Sequence, residues 1–535
     1  MTTIVDIRWD RIYLEFELEG IIDLNSNFLI RSIDLNQEYP VSCIDNLIRI
    51  NITNVTGIRN NEMLKAGGWE LVQKCSGVTE ILQLATEISE KLGELSNVFP
   101  YGKHKYAYAV SFETKVVANQ NTCLIYSMYL KENKKPRKEY LFLEAETPKE
   151  FLIQATTRAV VVLIRCIYFF ASRFRTKNCR HILLMSETKE CISGNLLSLK
   201  KWMLQNRPQY ILAYSFHETL NMRKSSVVFY WIKFVWLLAK QDIIIVDDYA
   251  PLFKVLNLHK KTKLIQVWHA GVGFKSVGYS RFGKEDSPRP FMSAHRKYDY
   301  AIVGSTNLVP IYAEVFGIKE SSVIPLGLPK IDDFLDPSRP AQCIAELTNK
   351  HNIMRDKKIM LFAPTYRGAG QYDANYPLEL IKFSKIFDIC GSEFIFAIKM
   401  HPFIQNKIDI PEMYKDRIID VSEDNIDDLL HVADLLISDY SSVIYEFSLL
   451  DKPMLFFAYD KEEYQANRGF HWDYEENVPG KICRTFDDLL TSIDTQDYCT
   501  ERIHKFRDFG FEYHDRMACQ RFCKFMDVLL DNQCN

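Results

Sequence analysis

The sequence predicts an α/β protein: two doubly wound parallel-sheet domains in tandem, behind an N-terminal mostly-β accessory domain. From about residue 180, short β-branched runs alternate with helix-length segments, the texture of strands covered by helices on both faces. The alternation resets near 340–356 and begins again, which makes two such domains. Before residue 140 the pattern is period-2 alternation punctuated by Asn, Gly and Asp, as in a half-buried antiparallel sheet. A chain of 535 residues also exceeds what one hydrophobic core supports. The predicted domains are 1–145, 150–340 and 341–535.

In chain order, VDIRWDRIYLEFELEG, NFLIRSIDL, NLIRINITNV, KYAYAVSFET, TCLIYSMYL and EYLFLEAE read as strands, with a helix expected near 79–96. The basic run KENKKPRKEY at 131–140 is expected to be a solvated hairpin or linker. HILLMS, YILAYSF, DIIIVDD, KLIQVWH, YDYAIVGS and SSVIPLG are the strands of the second domain. KIMLFAPTYRG, FIFAIKMHP, IIDVSE, LLISDYSS and PMLFFAYD are those of the third, followed by a helical C-terminus.

Apolar residues at 47% and charged residues at 25% exclude long disorder, collagen and a coiled-coil rod. A net charge of −3 gives no global basic field. No nucleic-acid partner is therefore expected, and an anionic ligand must be met by a local patch. The 13 cysteines include no CxxC pair and read as reduced, mostly buried thiols of a cytoplasmic protein. The N-terminal MTTIVDIRWDRIYLEFELEG is not a secretory signal.

Two apolar runs call for a membrane test. AVVVLIRCIYFFASRF, from Ala159, is interrupted by Arg165, and SVVFYWIKFVWLLAKQDIIIVDD carries Lys233 and Lys240 before turning into a strand. Neither is expected to span a bilayer. Arg158, Arg165, Arg173, Arg175, Lys177 and Arg180 are interleaved with Tyr168, Phe169, Phe170 and Phe174 without an acid. An amphipathic helix of this kind suits an anionic membrane surface, although a core helix with snorkelling arginines has the same pattern.

Tandem doubly wound domains place a cleft at the carboxyl ends of their strands. Four strand ends carry phosphate-competent groups: Trp268-His269 after KLIQV, Pro364-Thr365-Tyr366-Arg367 after IMLFA, Lys399-Met400-His401-Pro402 after FIFAI, and Asp439-Tyr440-Ser441-Ser442 after LLIS. The glycines at 271, 273 and 278 allow close backbone approach to an anion, but their spacing is not GxGxxG. Lys275 and Arg281 make the loop electropositive, so a neutral His269 can serve as a general base. Lys399 and His401, two apart, share one face of an extended strand end, as do Thr365 and Arg367. Arginine's planar fork suits bidentate phosphate binding. Ser441 and Ser442 either cap the following helix or offer an anion site at its N-terminus. Glu446 either reaches ribose hydroxyls or is a first-turn acid. No His, Cys and Asp cluster has metal-ligand spacing, and GxSxG, HExxH and P-loop signatures are missing. Metal-free phosphate chemistry without a cofactor is the expectation.

WHAGVGFKSVGY, YAEVFGI, GLPKIDDF, LFAPTYRG, KMHP, ADLLISDYSSVIYEF, KPMLFFAYDKEEY and RGFHWDYEENVPG, in that order, resemble the CDP-glycerol glycerophosphotransferase family, the teichoic-acid and capsule polyol-phosphate transferases. The resemblance implies a GT-B fold facing a cleft, with transfer of glycerol or ribitol phosphate from a CDP-activated donor to a hydroxyl of a lipid-linked or polysaccharide acceptor, releasing CMP. It implies His269 as the base on the attacking hydroxyl and His401 as a second catalytic histidine near the transferred phosphoryl group. It places Thr365, Arg367, Ser441 and Ser442 on the donor side and makes Arg468 a phosphate contact on either side of the reaction; with Gly271, Lys275, Pro364, Lys399, Asp439 and Glu446 these are the expected donor- and phosphate-binding residues. With lipid-borne acceptors it also implies peripheral attachment to the cytoplasmic face of the membrane. The WHAGV loop departs from the usual WHGTP-like form, and Glu446 stands where the family has aspartate, so glycerol and ribitol stay open. A GT-B glycosyltransferase using a nucleotide sugar is the alternative reading, and a non-catalytic polysaccharide-binding scaffold is a third.

Overall fold

The computed structural model describes the chain except for residues 1, 21–25, 56–62, 76, 103, 105, 132–147, 176–179, 217–226, 270–272, 285–292, 369–372, 405–407 and 535. The strand expected at EYLFLEAE and nearly all of the basic run at 131–140 lie outside the described residues, as do Ala270, Gly271 and Lys177.

The N-terminal region is a 12-stranded sheet, antiparallel apart from one parallel pair between Thr3–Asp10 and Gln83–Leu84. The helix expected at 79–96 is mostly not one. Val78–Ile81 and Gln83–Leu84 are strands, and only Thr86–Ser89 and a short 3-10 turn at Leu92–Leu95 are helical. Leu82 and Leu84 are buried against the sheet, and strand pairing to Gly67–Cys75 and Thr3–Asp10 prevails over the helical spacing of the segment.

Two six-stranded sheets follow, and every pairing between their strands is parallel. The first is ordered Ile211–Phe216, His181–Ser186, Ile243–Val246, Lys263–Gln266, Tyr300–Val303, Val323–Pro325; the second Ile418–Asp420, Phe394–Ile398, Lys358–Phe362, Leu435–Ser438, Met454–Phe457, Lys481–Cys483. The order of the second sheet reverses between Lys358–Phe362 and Leu435–Ser438, where an open α/β sheet forms its ligand crevice. Both sheets carry a buried apolar cluster on each face, which is why their strands read as continuous apolar runs.

The predicted boundary at 340–341 needs correction on both sides. Leu328, Ile331 and Phe334 pack into the core of the second parallel sheet. The C-terminal helix Ala518–Cys534, expected with that sheet, instead buries Cys519, Phe522, Cys523 and Met526 against the first. The apolar stripe of a helix shows that it packs, and the sequence does not say on which sheet.

The helix Pro148–Ala171 contains, with the turn that follows it, a 20-residue segment, Ala155–Phe174, long and apolar enough to cross a bilayer by length and composition, of which 11% is buried. An uninterrupted apolar run was too strict a requirement, because the average tolerates Arg158 and Arg165. In the fold this helix lies along the molecule: Tyr168 and Ala171 enter the core of the first parallel sheet, and Arg165 Nε donates to the carbonyl of Val255 at 2.8 Å.

Candidate active site

His269 follows the strand Lys263–Gln266, whose end is shaped by unusual backbone. Trp268 has φ 51°, a left-handed conformation rare for an aromatic residue. Its amide donates to Gln266 Oε1 at 2.8 Å, and Asn195 Nδ2 donates to the carbonyls of Val267 (3.0 Å) and Trp268 (2.8 Å). The turn swings the His269 ring onto the Trp268 indole, with ring centroids 4.7 Å apart. His269 Nδ1 lies 3.1 Å from the Asp247 carbonyl and 3.7 Å from Asp248 Oδ2. A carbonyl only accepts, so Nδ1 carries the proton and Nε2 keeps its lone pair. That is the tautomer a base needs.

The loop after His269 is held from outside its own sheet. Ser276 N donates to Gly469 O at 2.9 Å and His471 N to Phe274 O at 3.0 Å, an antiparallel bridge centred on Lys275 and Phe470. Phe274 is in the core of the second parallel sheet, while Tyr279 and Phe282 are in the core of the N-terminal sheet. Packing by itself requires glycine at two of the three positions. A Cβ on Gly273 would meet Leu308 Cδ2 at 2.8 Å and Tyr445 Oη at 2.9 Å, and one on Gly278 would meet the Val315 carbonyl at 2.2 Å. Gly271 lies outside the described residues.

The bridge carries Lys275 into the second unit's charges. Burial, then Arg468, Arg281 and Arg367, push its ammonium down to about 8 against the opposing pull of Asp439. His401 is pushed down to about 4 by burial, then by Lys275, Lys399 and His269, so the two histidines share one field across the junction. His401 Nδ1 accepts from the Phe403 amide at 3.2 Å, and its ring packs between Tyr366 and Phe403. The neutral ring then bears its proton on Nε2 and is a donor.

At the crevice of the second sheet, Asp439 is fully buried. Its Oδ1 accepts from Thr365 N at 2.7 Å and from Tyr440 N, and its Oδ2 from Arg367 Nη1 at 2.9 Å. Arg367 Nε and Nη2 grip Asp460 at 2.6 and 2.9 Å, and Nη1 also donates to Thr365 O. Arg367 thus differs from the open phosphate fork expected: four of its five N–H donors are spent on two carboxylates and a carbonyl. Lys399 spends one of its three ammonium donors on the Ser422 carbonyl. Glu446, in the first turn of Val443–Ser448, is buried and paired to Lys330 Nζ at 2.7 Å. Pro364 and Thr365 are buried, with Thr365 Oγ1 unpartnered among the described residues. Ser441 and Ser442 are half-buried, and Ser442 precedes the helix Val443–Ser448 without a side-chain capping bond. Arg468 Nη2 donates to Gly368 O at 2.8 Å.

Residues the sequence reading passed over complete the site. Asp247 is tied to Lys189 at 2.7 Å, and Asp248 accepts from Thr188 at 2.8 Å. Asn195 Oδ1 accepts from Lys330 N at 2.9 Å, so Glu446, Lys330, Asn195 and the His269 turn form one chain of contacts. The acid pair ending DIIIVDD was the available signal, since it closes a strand beside that of His269. Nothing in the local pattern around Asn195 marks it.

The family model described as CDP-Glycerol:Poly(glycerophosphate) glycerophosphotransferase matches residues 167–527. The chain is 35% identical over 402 residues to the teichoic acid ribitol-phosphate polymerase TarL of Staphylococcus aureus (strain NCTC 8325 / PS 47), covering 74% of this chain and 69% of that one. It is 32% identical over 478 residues to the teichoic acid poly(ribitol-phosphate) polymerase of Bacillus spizizenii (strain ATCC 23059 / NRRL B-14472 / W23), covering 88% and 76%. It is 36% identical over 304 residues to the teichoic acid glycerol-phosphate primase of Bacillus subtilis (strain 168), covering 56% and 77%. Among solved structures, the wall teichoic acid polymerase TagF matches with a TM-score of 0.57 at 21% identity, over 73% of this chain and 99% of that one. At that identity the likeness is one of fold. A variant of TagF soaked with CDPG matches with a TM-score of 0.56.

Proposed function

The chain belongs to the CDP-glycerol:poly(glycerophosphate) glycerophosphotransferase family, and from that premise we propose how its two parallel-sheet units carry out transfer. It is a polyol-phosphate transferase of teichoic acid synthesis. The finer reading treats the two units as the halves of a GT-B fold, with a CDP-linked polyol at the crevice of the second sheet and the acceptor hydroxyl beside His269.

His269 Nε2 takes the proton from the acceptor hydroxyl, whose oxygen attacks the polyol-bearing phosphorus. The new P–O bond forms as the bond to the bridging oxygen breaks, and CMP leaves with that oxygen. Lys275 and Arg468, with the His401 Nε2–H as a neutral donor, meet the charge on the phosphoryl oxygens. Arg367 and Asp439 act as positioning residues that hold the Thr365 and Ser441 segments. The reading asks for no cofactor besides the substrate. The observation that carries it is the locked tautomer of His269, a base with its lone pair kept free beside a cationic junction.

The acceptor is read as lipid-linked or a growing polymer, and the enzyme as peripheral at the cytoplasmic face of the membrane. Supporting this, Phe169, Phe170 and Phe174 are exposed on the arginine-bearing segment Ala155–Phe174. Incubation with CDP-glycerol, CDP-ribitol and a panel of UDP-sugars, with a lipid-linked acceptor, tests the whole. CMP release from a CDP-polyol alone is expected. UDP release would replace the reading with sugar transfer, and no nucleotide release from any pairing would leave a binding scaffold.

A further inference from the structure

Beneath the exposed apolar helix lies a cavity of about 360 Å³, bounded by Arg165, Tyr168, Phe169, Ser172, Asn257 and His259. We propose that it seats the phosphate headgroup of an anionic phospholipid, which orients the enzyme on the membrane surface. The inference deepens the peripheral-membrane reading above and rests on it.

The walls suit such a ligand. Arg165 is fixed through Nε to the Val255 carbonyl at 2.8 Å, and among the described residues no carboxylate ion-pairs with it. Its Nη groups are thus left to a ligand on a side chain already ordered. His259 Nδ1 accepts from Lys261 N at 3.3 Å, which puts the ring proton on Nε2, while the His259 amide is pinned to the Tyr168 hydroxyl at 2.9 Å. Lys297 Nζ reaches Asn257 Oδ1 at 3.3 Å, and Lys260 and Lys261 follow His259 directly. The chain has no Asp or Glu from Phe151 to Ser186, nor from Tyr249 to Thr262, so the two segments that build the cavity are uniformly cationic. Burial, Arg175 and the two lysines hold His259 below its ordinary pKa.

The rim supplies the other half of an amphiphile's surroundings. Phe169 is exposed and lines the opening, with the Arg173 guanidinium 4.8 Å over its ring; on the same helical segment Val162, Leu163, Phe170 and Phe174 are also exposed, the last two in ring contact with Trp236. Exposed aromatics beside a cationic cavity match the boundary between acyl chains and headgroups. A free anion would use the cavity and leave the apolar rim without a purpose.

The test uses the full chain, with 31P NMR of a soluble short-chain phosphatidylglycerol below its micelle concentration and co-sedimentation with phosphatidylglycerol or phosphatidylcholine vesicles. Saturable line broadening is expected, weakened roughly five- to tenfold by Arg165→Gln and by Ser172→Asp, with CMP release on a soluble acceptor unchanged. Ser172→Asp leaves the Arg165–Val255 bond intact, so it separates the pocket from the packing of the helix. Equal broadening in wild type and both variants, or none in wild type, would overturn the proposal. So would displacement of the lipid by inorganic phosphate at matching concentration, which would make this a free-anion site. Headgroup binding without binding to either vesicle would uphold the pocket and remove the peripheral-membrane reading instead.

Discussion

The two sides of the junction are built in opposite ways. On the second unit, Asp439, Arg367, Asp460 and the Thr365 backbone bond to one another within a single sheet and its loops. On the first, the loop after His269 leans on two foreign cores, with Phe274 in the second unit and Tyr279 and Phe282 in the N-terminal sheet. Arg11 of that sheet adds a two-pronged grip on the buried Glu314, at 2.9 and 3.0 Å. The crevice of the second unit is organised by itself, whereas the His269 loop is held by an assembly. This gives the N-terminal sheet a mechanical role that its sequence did not announce.

The largest effect is expected from His269→Ala. Turnover should fall by about 10²- to 10⁴-fold, the range for a general base, while calorimetric affinity for the CDP-linked donor stays near wild type, because nothing in the self-contained half has changed. A large loss of donor affinity would show that the halves are not separable. Next comes Arg367→Ala, which strands the buried Asp439 and Asp460. Removing one partner of such a network costs about 3–5 kcal/mol, so urea unfolding should show a markedly lower midpoint. An unchanged midpoint would mean that Arg367 is held for ligand after all.

Periodicity alone located the four strand ends, because a parallel strand buried on both faces is an unbroken apolar run and its polar successor stands out. The two histidines were legible for that reason. The partners were not. Asp460 lies 93 residues from Arg367, Asn195 lies 135 residues from Lys330, and no local pattern encodes such a pairing. Arg367 was misjudged for the same cause: sequence shows a cation at a strand end, and only the fold shows that carboxylates have already taken it. The exchanged C-terminal helix and the strand-forming 78–84 segment are tertiary choices that override local preference.

Asn195→Ala sharpens the comparison at the seam. It removes donors from the Val267 and Trp268 carbonyls and an acceptor from Lys330 N. An orphaned buried polar group costs about 1–3 kcal/mol, part of which should appear as disorder in the left-handed Trp268 turn. The expected result is a kcat lowered by roughly tenfold with the donor KM unmoved. Asn195→Asp should do no better, since a carboxylate accepts from Lys330 N but donates nothing to the two carbonyls. Restoration by Asp would place the effect at Lys330 and the second unit instead of the base.

The smallest effect is one of pH, and it follows the charged side chain that the 274–276 bridge carries to the second unit. Lys275 is held down to about 8 by burial and by its arginine neighbours, against an ordinary value near 10.4. Below pH 8 it is charged in both the folded and unfolded chain, and folding bears the full cost of burying that charge. Between about 8 and 10.4 the unfolded chain binds the proton and the folded one does not, so the ligand-free protein should gain stability as pH rises. Donor affinity should move the other way, because the ammonium that meets the diphosphate is being lost. Donor KM is thus expected to be flat from pH 6 to 7.5 and to climb above 8 towards about tenfold per unit, and Lys275→Arg should abolish the climb by keeping its charge. If KM climbs identically in the arginine variant, Lys275 is a filler of the bridge, and the charge that binds donor comes wholly from the self-contained half.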